Sequence, residues 1–154
     1  MKKPALAFLL VGLCVATAAQ AACDADSEPL FACTVKKSGK RVEVCATATA
    51  IQYSFGKPNA KPELALTVPK SQASTYQWEG FGGVMAYSVN IPNGEVEYRV
   101  YSGSEKASEE HPDGLAFAGV HVVKKGRQIA EIACVDNTVK SKLEGLTLRR
   151  AEEW

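Results

Sequence analysis

Tyr87-Ser88-Val89-Asn90-Ile91-Pro92-Asn93-Gly94-Glu95-Val96-Glu97-Tyr98-Arg99-Val100 decides how this chain folds. Asn-Gly is a preferred pair for a tight two-residue hairpin turn, because both central residues can take positive φ. With Asn93 and Gly94 at the tip, Ile91 faces Val96, Val89 faces Tyr98 and Tyr87 faces Val100. Those side chains share one face, while Asn90, Glu97, Ser88 and Arg99 share the other. Alternation on both sides of a turn predicts a half-buried antiparallel hairpin. Pro92 removes one ladder donor beside the turn.

Two further stretches repeat the pattern. Phe31 to Val35 and Arg41 to Cys45 flank Lys37-Ser38-Gly39-Lys40, and Ala116 to Val123 and Gln128 to Val135 flank Lys125-Gly126-Arg127. Pairing Val35 with Val42 and Cys33 with Val44 gathers the apolar side chains on one face and puts Cys45 on the other. Ile51 to Phe55 and Glu63 to Val68 are also strand-like, joined through Gly56-Lys57-Pro58-Asn59. Short strands separated by turn residues predict an all-β fold, an antiparallel sandwich of about eight strands. Asp136 to Leu143 has the best local chance of a short C-terminal helix, Leu146 to Leu148 can add a last strand, and Arg149 to Trp154 is expected to be loosely held.

The first 21 residues read as a secretion signal, not as part of the fold. Lys2 and Lys3 precede an apolar run from Ala5 to about Ala18, then Ala19-Gln20-Ala21 supplies a small-x-small cleavage site. The run is short for a membrane span, which needs about 20 residues. Residues 22–154 then form one domain, large enough to bury a core. Removing two lysines from a chain with 18 Lys+Arg and 17 Asp+Glu leaves the exported part close to neutral. Such a balance argues against nucleic acid and against adhesion to anionic lipid.

Of five cysteines, Cys14 lies within the signal, leaving Cys23, Cys33, Cys45 and Cys134. Four cysteines in an oxidising compartment predict two disulfides, with three possible connectivities. The face pattern disfavours a direct Cys33–Cys45 bridge and points one of these two to Cys134. Cys23, just after the cleavage region, has the competing reading of a lipidated terminal cysteine, but Gln20 stands where a lipobox has Leu.

Three places can carry function. Tyr101 to Lys106, continuing to Gly114, reads as a long polar loop after the best hairpin, and long ordered loops concentrate binding residues. Ser102, Gly103, Ser104, Glu105, Lys106 and His111 are its candidate partner-binding residues. Glu109-Glu110-His111-Pro112-Asp113 reads as a solvated acidic turn, since a zinc site needs three or four converging ligands and the chain has two histidines. Trp78-Glu79-Gly80-Phe81-Gly82-Gly83 can be a ligand platform, although core packing around a glycine bend is the plainer reading. No nucleophile elbow, zinc-protease helix or phosphate loop occurs. No cofactor and no catalytic residue is expected, and a homodimer stays open.

Phe31-Ala-Cys-Thr-Val-Lys-Lys-Ser-Gly-Lys40, Tyr53-Ser-Phe-Gly-Lys-Pro58 and Tyr87-Ser-Val-Asn-Ile-Pro-Asn-Gly94 resemble stretches of short secreted bacterial proteins. The functional family whose layout is similar is the periplasmic lysozyme inhibitors, especially the invertebrate-type lysozyme inhibitor. The resemblance lies in signal, compact β-sandwich, few disulfides and a protruding loop. It implies a loop of pattern Ser-Gly-x-x-Tyr that enters a hydrolase cleft. Ser102-Gly103 match that pattern, whereas Lys106 stands at the Tyr position, and the family's second motif has no clear counterpart. Immunity proteins against peptidoglycan-cleaving toxins share the same logic. The reading is a periplasmic protein that occludes a cell-wall hydrolase; a small-ligand or envelope-assembly binding module is the alternative.

Overall fold

The central hairpin forms, but its tip lies one residue further on than Asn-Gly predicts. In the computed structural model, which describes residues 23–151, β6 (Val84–Asn93) and β7 (Val96–Glu105) pair Asn93 with Val96. Gly94 and Glu95 are therefore the turn residues. Gly94 has φ +62°, whereas Glu95 is not in the left-handed region. A glycine at the first central position alone matches the II′ turn. The cross-strand partners slide by two: Ile91 faces Tyr98, Val89 faces Val100 and Tyr87 faces Ser102. An even slide keeps every side chain on its face, so Val89, Ile91 and Val100 are fully buried as the alternation requires.

The same even slide occurs in the first hairpin, β1 (Glu28–Thr34) with β2 (Arg41–Ala46), where Cys33 faces Val42 and Phe31 faces Val44. In the third, β8 (Leu115–Lys124) and β9 (Arg127–Ala133), the turn is two residues instead of three. Lys125 (φ +50°) and Gly126 (φ +74°) both take positive φ, the I′ geometry.

Eleven strands are present among the described residues, in two sheets. The first has order β10-β1-β2-β3-β4, with β3 (Ala50–Gly56), β4 (Leu64–Pro69) and β10 (Lys140–Ser141). The second has order β11-β5-β6-β7-β8-β9, with β5 (Ser74–Gln77) and β11 (Arg149–Arg150). β5 is too short and polar for its alternation to announce a strand. One apolar cluster draws from both sheets: Val42, Val44, Ile51 and Tyr53 from the first, Val89, Ile91, Val100 and Val120 from the second. Tyr53 stacks on Tyr98 between the sheets at 5.2 Å. Each fully buried aliphatic side chain contributes about 1.5–3 kcal/mol relative to exposure.

The expected helix over Asp136 to Leu143 does not form. Asp136–Thr138 is a single 3₁₀ turn, and Lys140–Ser141 joins the edge of β1. Thr138 explains the choice. Its hydroxyl donates to the Val135 carbonyl at 2.6 Å and accepts the Thr34 N–H at 3.0 Å, tying the segment to β1. A helix of two turns has a costly nucleus and no such tertiary reward. Leu143 is fully buried all the same. The tail is more ordered than expected up to residue 151. The last strand is Arg149–Arg150, not Leu146 to Leu148; it runs parallel to β5, and Arg150 pairs with Glu79.

Two disulfides complete the frame, Cys33–Cys134 and Cys23–Cys45. Cys33 lies on β1, while the Cys134 N–H donates to Ala118 of β8, so the first disulfide fastens one sheet to the other. Cys45 lies on the opposite face of β2 and holds the segment before β1. The Cys23 sulfur lies in the second disulfide, with Cys45. Two disulfides fit an oxidising compartment. No helix among the described residues is long and apolar enough to cross a membrane. The signal reading for residues 1–21 lies outside the described residues.

Candidate functional site

β6, β7 and β8 have ten residues each, against six or seven for the long strands of the other sheet. One end of this three-strand unit gathers the candidate residues, but not as a loop. Ser102, Gly103, Ser104 and Glu105 are the last residues of β7, hydrogen-bonded between β6 and β8. The polar, small-residue composition that suggested a loop here belongs to a strand held on both sides. The true connection is residues 106–114.

Strand alternation divides the candidates. Ser102 and Ser104 share the inner face with Val100 and, with Met85, Tyr87, Ser141 and Glu144, line a shallow hollow of ≈ 230 Å³. Ser102 Oγ lies 2.6 Å from Ser141 Oγ, and the Tyr87 hydroxyl donates to Glu144 Oε1 at 3.2 Å. Gly103 and Glu105 are on the outer face. The Phe117 ring occupies the space where a Gly103 side chain would stand. Glu105 lies between Val84 and Leu115 in one cross-strand row.

Lys106 and His111 are in the connection, which is built from its own hydrogen bonds. The Ser108 N–H donates to the His111 carbonyl at 2.9 Å, and the His111 N–H donates to Ser108 Oγ at 3.1 Å. The Gly114 N–H also donates to the His111 carbonyl, and the Lys106 N–H donates to the Gly83 carbonyl at 3.0 Å. Gly114 has φ +77°, and a Cβ there would meet the Glu105 carbonyl at 2.8 Å, so glycine is required where the connection rejoins β8. Four carboxylates (Glu105, Glu109, Glu110 and Asp113) accompany Lys106 and His111 here.

Phe81 does not fill the core. It is 82 % exposed, at the crest of a bend where Gly80 and Gly82 take φ +91° and +82°. Trp78 braces it by donating from Nε1 to the Phe81 carbonyl at 2.8 Å. The glycines that suggested a core bend turn the chain outward instead.

His121 stands apart from His111, on the outer face of β8. Its ring contacts that of Tyr101 at 4.3 Å, and the Tyr101 hydroxyl donates to Glu131 Oε1 at 2.9 Å. Burial pushes the Tyr101 phenol up, helped by Glu131. Burial holds His121 below the usual histidine range against the attraction of Glu131, with Arg99 adding to the lowering. Among the described residues, no three His, Cys, Asp or Glu side chains stand together as a metal site would need.

The loop from Gly56 to Pro62 stands beside the outer face of β2, β3 and β4 and borders an open cleft of ≈ 600 Å³. Its floor includes Glu43, Gln52, Ser54 and Thr67, and Arg41 donates to Glu43 at 2.9 Å. Gln52 Oε1 is buried there without a hydrogen-bond partner. Alternation marks Gln52 and Ser54 as outward polar positions, but nothing local announces that a loop will stand beside them. Trp78 and Phe81 line neither hollow.

No family model, no curated protein and no solved structure matches this chain.

Proposed function

We propose that the protein is a periplasmic inhibitor of a peptidoglycan-cleaving hydrolase, of the lysozyme-inhibitor or toxin-immunity type. It acts by occlusion: the end of the β6–β8 unit seats against the hydrolase cleft. The observation that carries the reading is the preorganised connection at residues 106–114. It runs for nine residues between β7 and β8 and is fastened by four backbone-donated hydrogen bonds. A loop already ordered loses little entropy on docking. Three polar groups at this end suit a cleft built around carboxylates. Ser102 and Ser104 carry hydroxyl donors, and the Lys106 ammonium can pair with a carboxylate directly. Because Ser102 and Ser104 sit on a sheet face, they meet whatever reaches over the loop; the inserted element is Lys106 to Gly114. The exported, disulfide-bonded setting is the compartment in which such hydrolases act.

The test is an inhibition assay. Protein spanning residues 22–154 is titrated against lysozymes of the chicken, goose and invertebrate types, beside Ser102→Ala, Ser104→Ala and Lys106→Ala variants. Loss of muramidase activity with wild type and weaker loss with the variants is the expected result. Equal inhibition by all four proteins would remove these three side chains from the mechanism, and no inhibition of any type would remove the hydrolase.

A second reading, a small-ligand or envelope-assembly binding module, draws on a different observation. The cleft beside the Gly56–Pro62 loop falls within the ~300–1,000 Å³ of ligand pockets and holds the unpartnered Gln52 Oε1. Trp78 and Phe81, the aromatic platform that the sequence offers for such a module, are not part of it.

A further inference from the structure

Phe81 is held out of the core by its own backbone. The left-handed Gly80 and Gly82 set the crest, and the Trp78 indole N–H fixes the Phe81 carbonyl. An exposed phenyl ring costs free energy unless a partner covers it, and aromatic side chains set rigidly at a surface are the usual anchors of protein interfaces. Two more apolar side chains stand at the same end of the sheet. Val84 is 43 % exposed and Leu115 39 %, on either side of Glu105 in one row. The backbone link from Lys106 N–H to the Gly83 carbonyl joins the Phe81 bend to the 106–114 connection.

Charge says what covers this patch. Exported residues 22–154 are nearly neutral overall, which argues against electrostatic steering to a basic enzyme. The distribution, however, is uneven. Glu105 lies in the apolar row, and Glu109, Glu110 and Asp113 follow in the connection at this end, with Lys106 the one lysine or arginine between residues 105 and 114; beside the Phe81 bend, Arg150 is paired with Glu79. At the other end of the same strands stand Lys124, Lys125 and Arg127, around Glu95, which pairs with both lysines. The docking end is therefore acidic although the whole is not, and an acidic rim around an apolar centre fits a basic surface with an apolar recess.

We infer that Phe81, with Val84 and Leu115, is the anchor by which this end docks onto a basic protein, its acidic rim pairing with lysines and arginines of the partner. The inference rests on the inhibitor reading and names the kind of hydrolase it concerns, a cationic one. Phe81 contributes the affinity, and Glu109 and Glu110 contribute the rate of encounter.

The experiment measures binding and inhibition separately, with the same lysozymes as probes. Wild type is compared with Phe81→Ser, with Glu109→Gln/Glu110→Gln, and with Ile129→Ser, a control at a side chain 57 % exposed on β9. The expected result is binding to a basic lysozyme that Phe81→Ser weakens about tenfold or more, a loss of at least 1.4 kcal/mol. The Glu variant should slow association, and added salt should slow the wild type likewise. Ile129→Ser should bind as wild type does. Binding through Phe81 without loss of enzyme activity would uphold the anchor and overturn the inhibitor reading. Inhibition that Phe81→Ser leaves intact would overturn the anchor and uphold the reading. Absence of binding to every lysozyme would overturn both.

Discussion

The ring of Phe117 on β8 lies directly over Gly103 on β7, filling the space that a side chain at position 103 would need. The two residues face each other in the register. A glycine that weakens a strand by itself is thereby covered by an aromatic neighbour. The glycine of the serine-glycine pair that resembles an inhibitor's loop motif is, in this chain, packed under a ring inside a sheet, while Ser102 faces the other way.

Gly103→Ala is expected to destabilise the fold, because its methyl group meets the Phe117 ring and the Met85 carbonyl. Overpacking of this kind costs typically about 1–3 kcal/mol. Urea unfolding should show a lower midpoint with an unchanged slope. Gly94→Ala, where nothing lies within 4 Å, meets only the strain of positive φ and tests the turn instead.

Tyr53→Phe is expected to be neutral or stabilising. The Tyr53 hydroxyl is buried between the sheets with no hydrogen-bond partner, and burial pushes its phenol up. An unsatisfied buried polar group costs about 1–3 kcal/mol, so its removal recovers part of that amount. Thermal unfolding of the variant beside wild type checks it; a large loss of stability would show that the hydroxyl has a partner.

The two disulfides should differ in worth. Cys33 and Cys134 are 101 residues apart, Cys23 and Cys45 only 22. On chain-entropy grounds a loop of about 100 residues gains about 4.7 kcal/mol and one of about 15 gains about 3 kcal/mol. Cys33→Ala/Cys134→Ala should therefore unfold at lower denaturant than Cys23→Ala/Cys45→Ala. The reverse order would mean that the sheets hold together without the longer link.

Stability should fall on both sides of neutrality, for two reasons. His121 is held below the usual histidine range in the folded protein, by burial first. The unfolded chain then takes up the proton first, so stability is lost as pH falls below about 6.5. His121→Gln should flatten that limb. Tyr101 is shifted upward, so the unfolded chain loses its phenolic proton first and stability is lost as pH rises above about 10. Tyr101→Phe should make the alkaline limb shallower, with the buried Tyr53 phenol supplying the rest of it, as read from urea midpoints across pH.

Particular residues show how far the sequence carries. Alternation around Asn93-Gly94 placed Val89, Ile91 and Val100 in the core, because face depends on period two and survives an even slip of register. The exact partners were not legible, since turn type depends on whether Asn93 or Glu95 joins Gly94 at the tip. The separation of Cys33 from Cys45 was legible for the same periodic reason, whereas the choice of Cys33 for Cys134 needed the pairing of the end of β1 with the segment after β9. The helix failed because Thr138 satisfies a backbone group of β1, a contact 104 residues away. Ser102 and Ser104 were misread because small polar residues are ambiguous between loop and strand; only pairing with β6 and β8 decides. Phe81 was misread because glycine flanks permit an inward or outward bend equally.

Hydrogen exchange of the protein, free and mixed with a lysozyme found to bind it, tests the proposed docking through the β6–β8 end most directly. Docking through the β6–β8 end predicts slowed exchange at residues 80–85 and 102–115. Exchange at the Lys125-Gly126 turn and in the loop from Gly56 to Pro62 should stay unchanged. Slowing centred on the Gly56–Pro62 cleft, with residues 80–85 and 102–115 unaffected, would contradict the claim and place the partner on the other sheet.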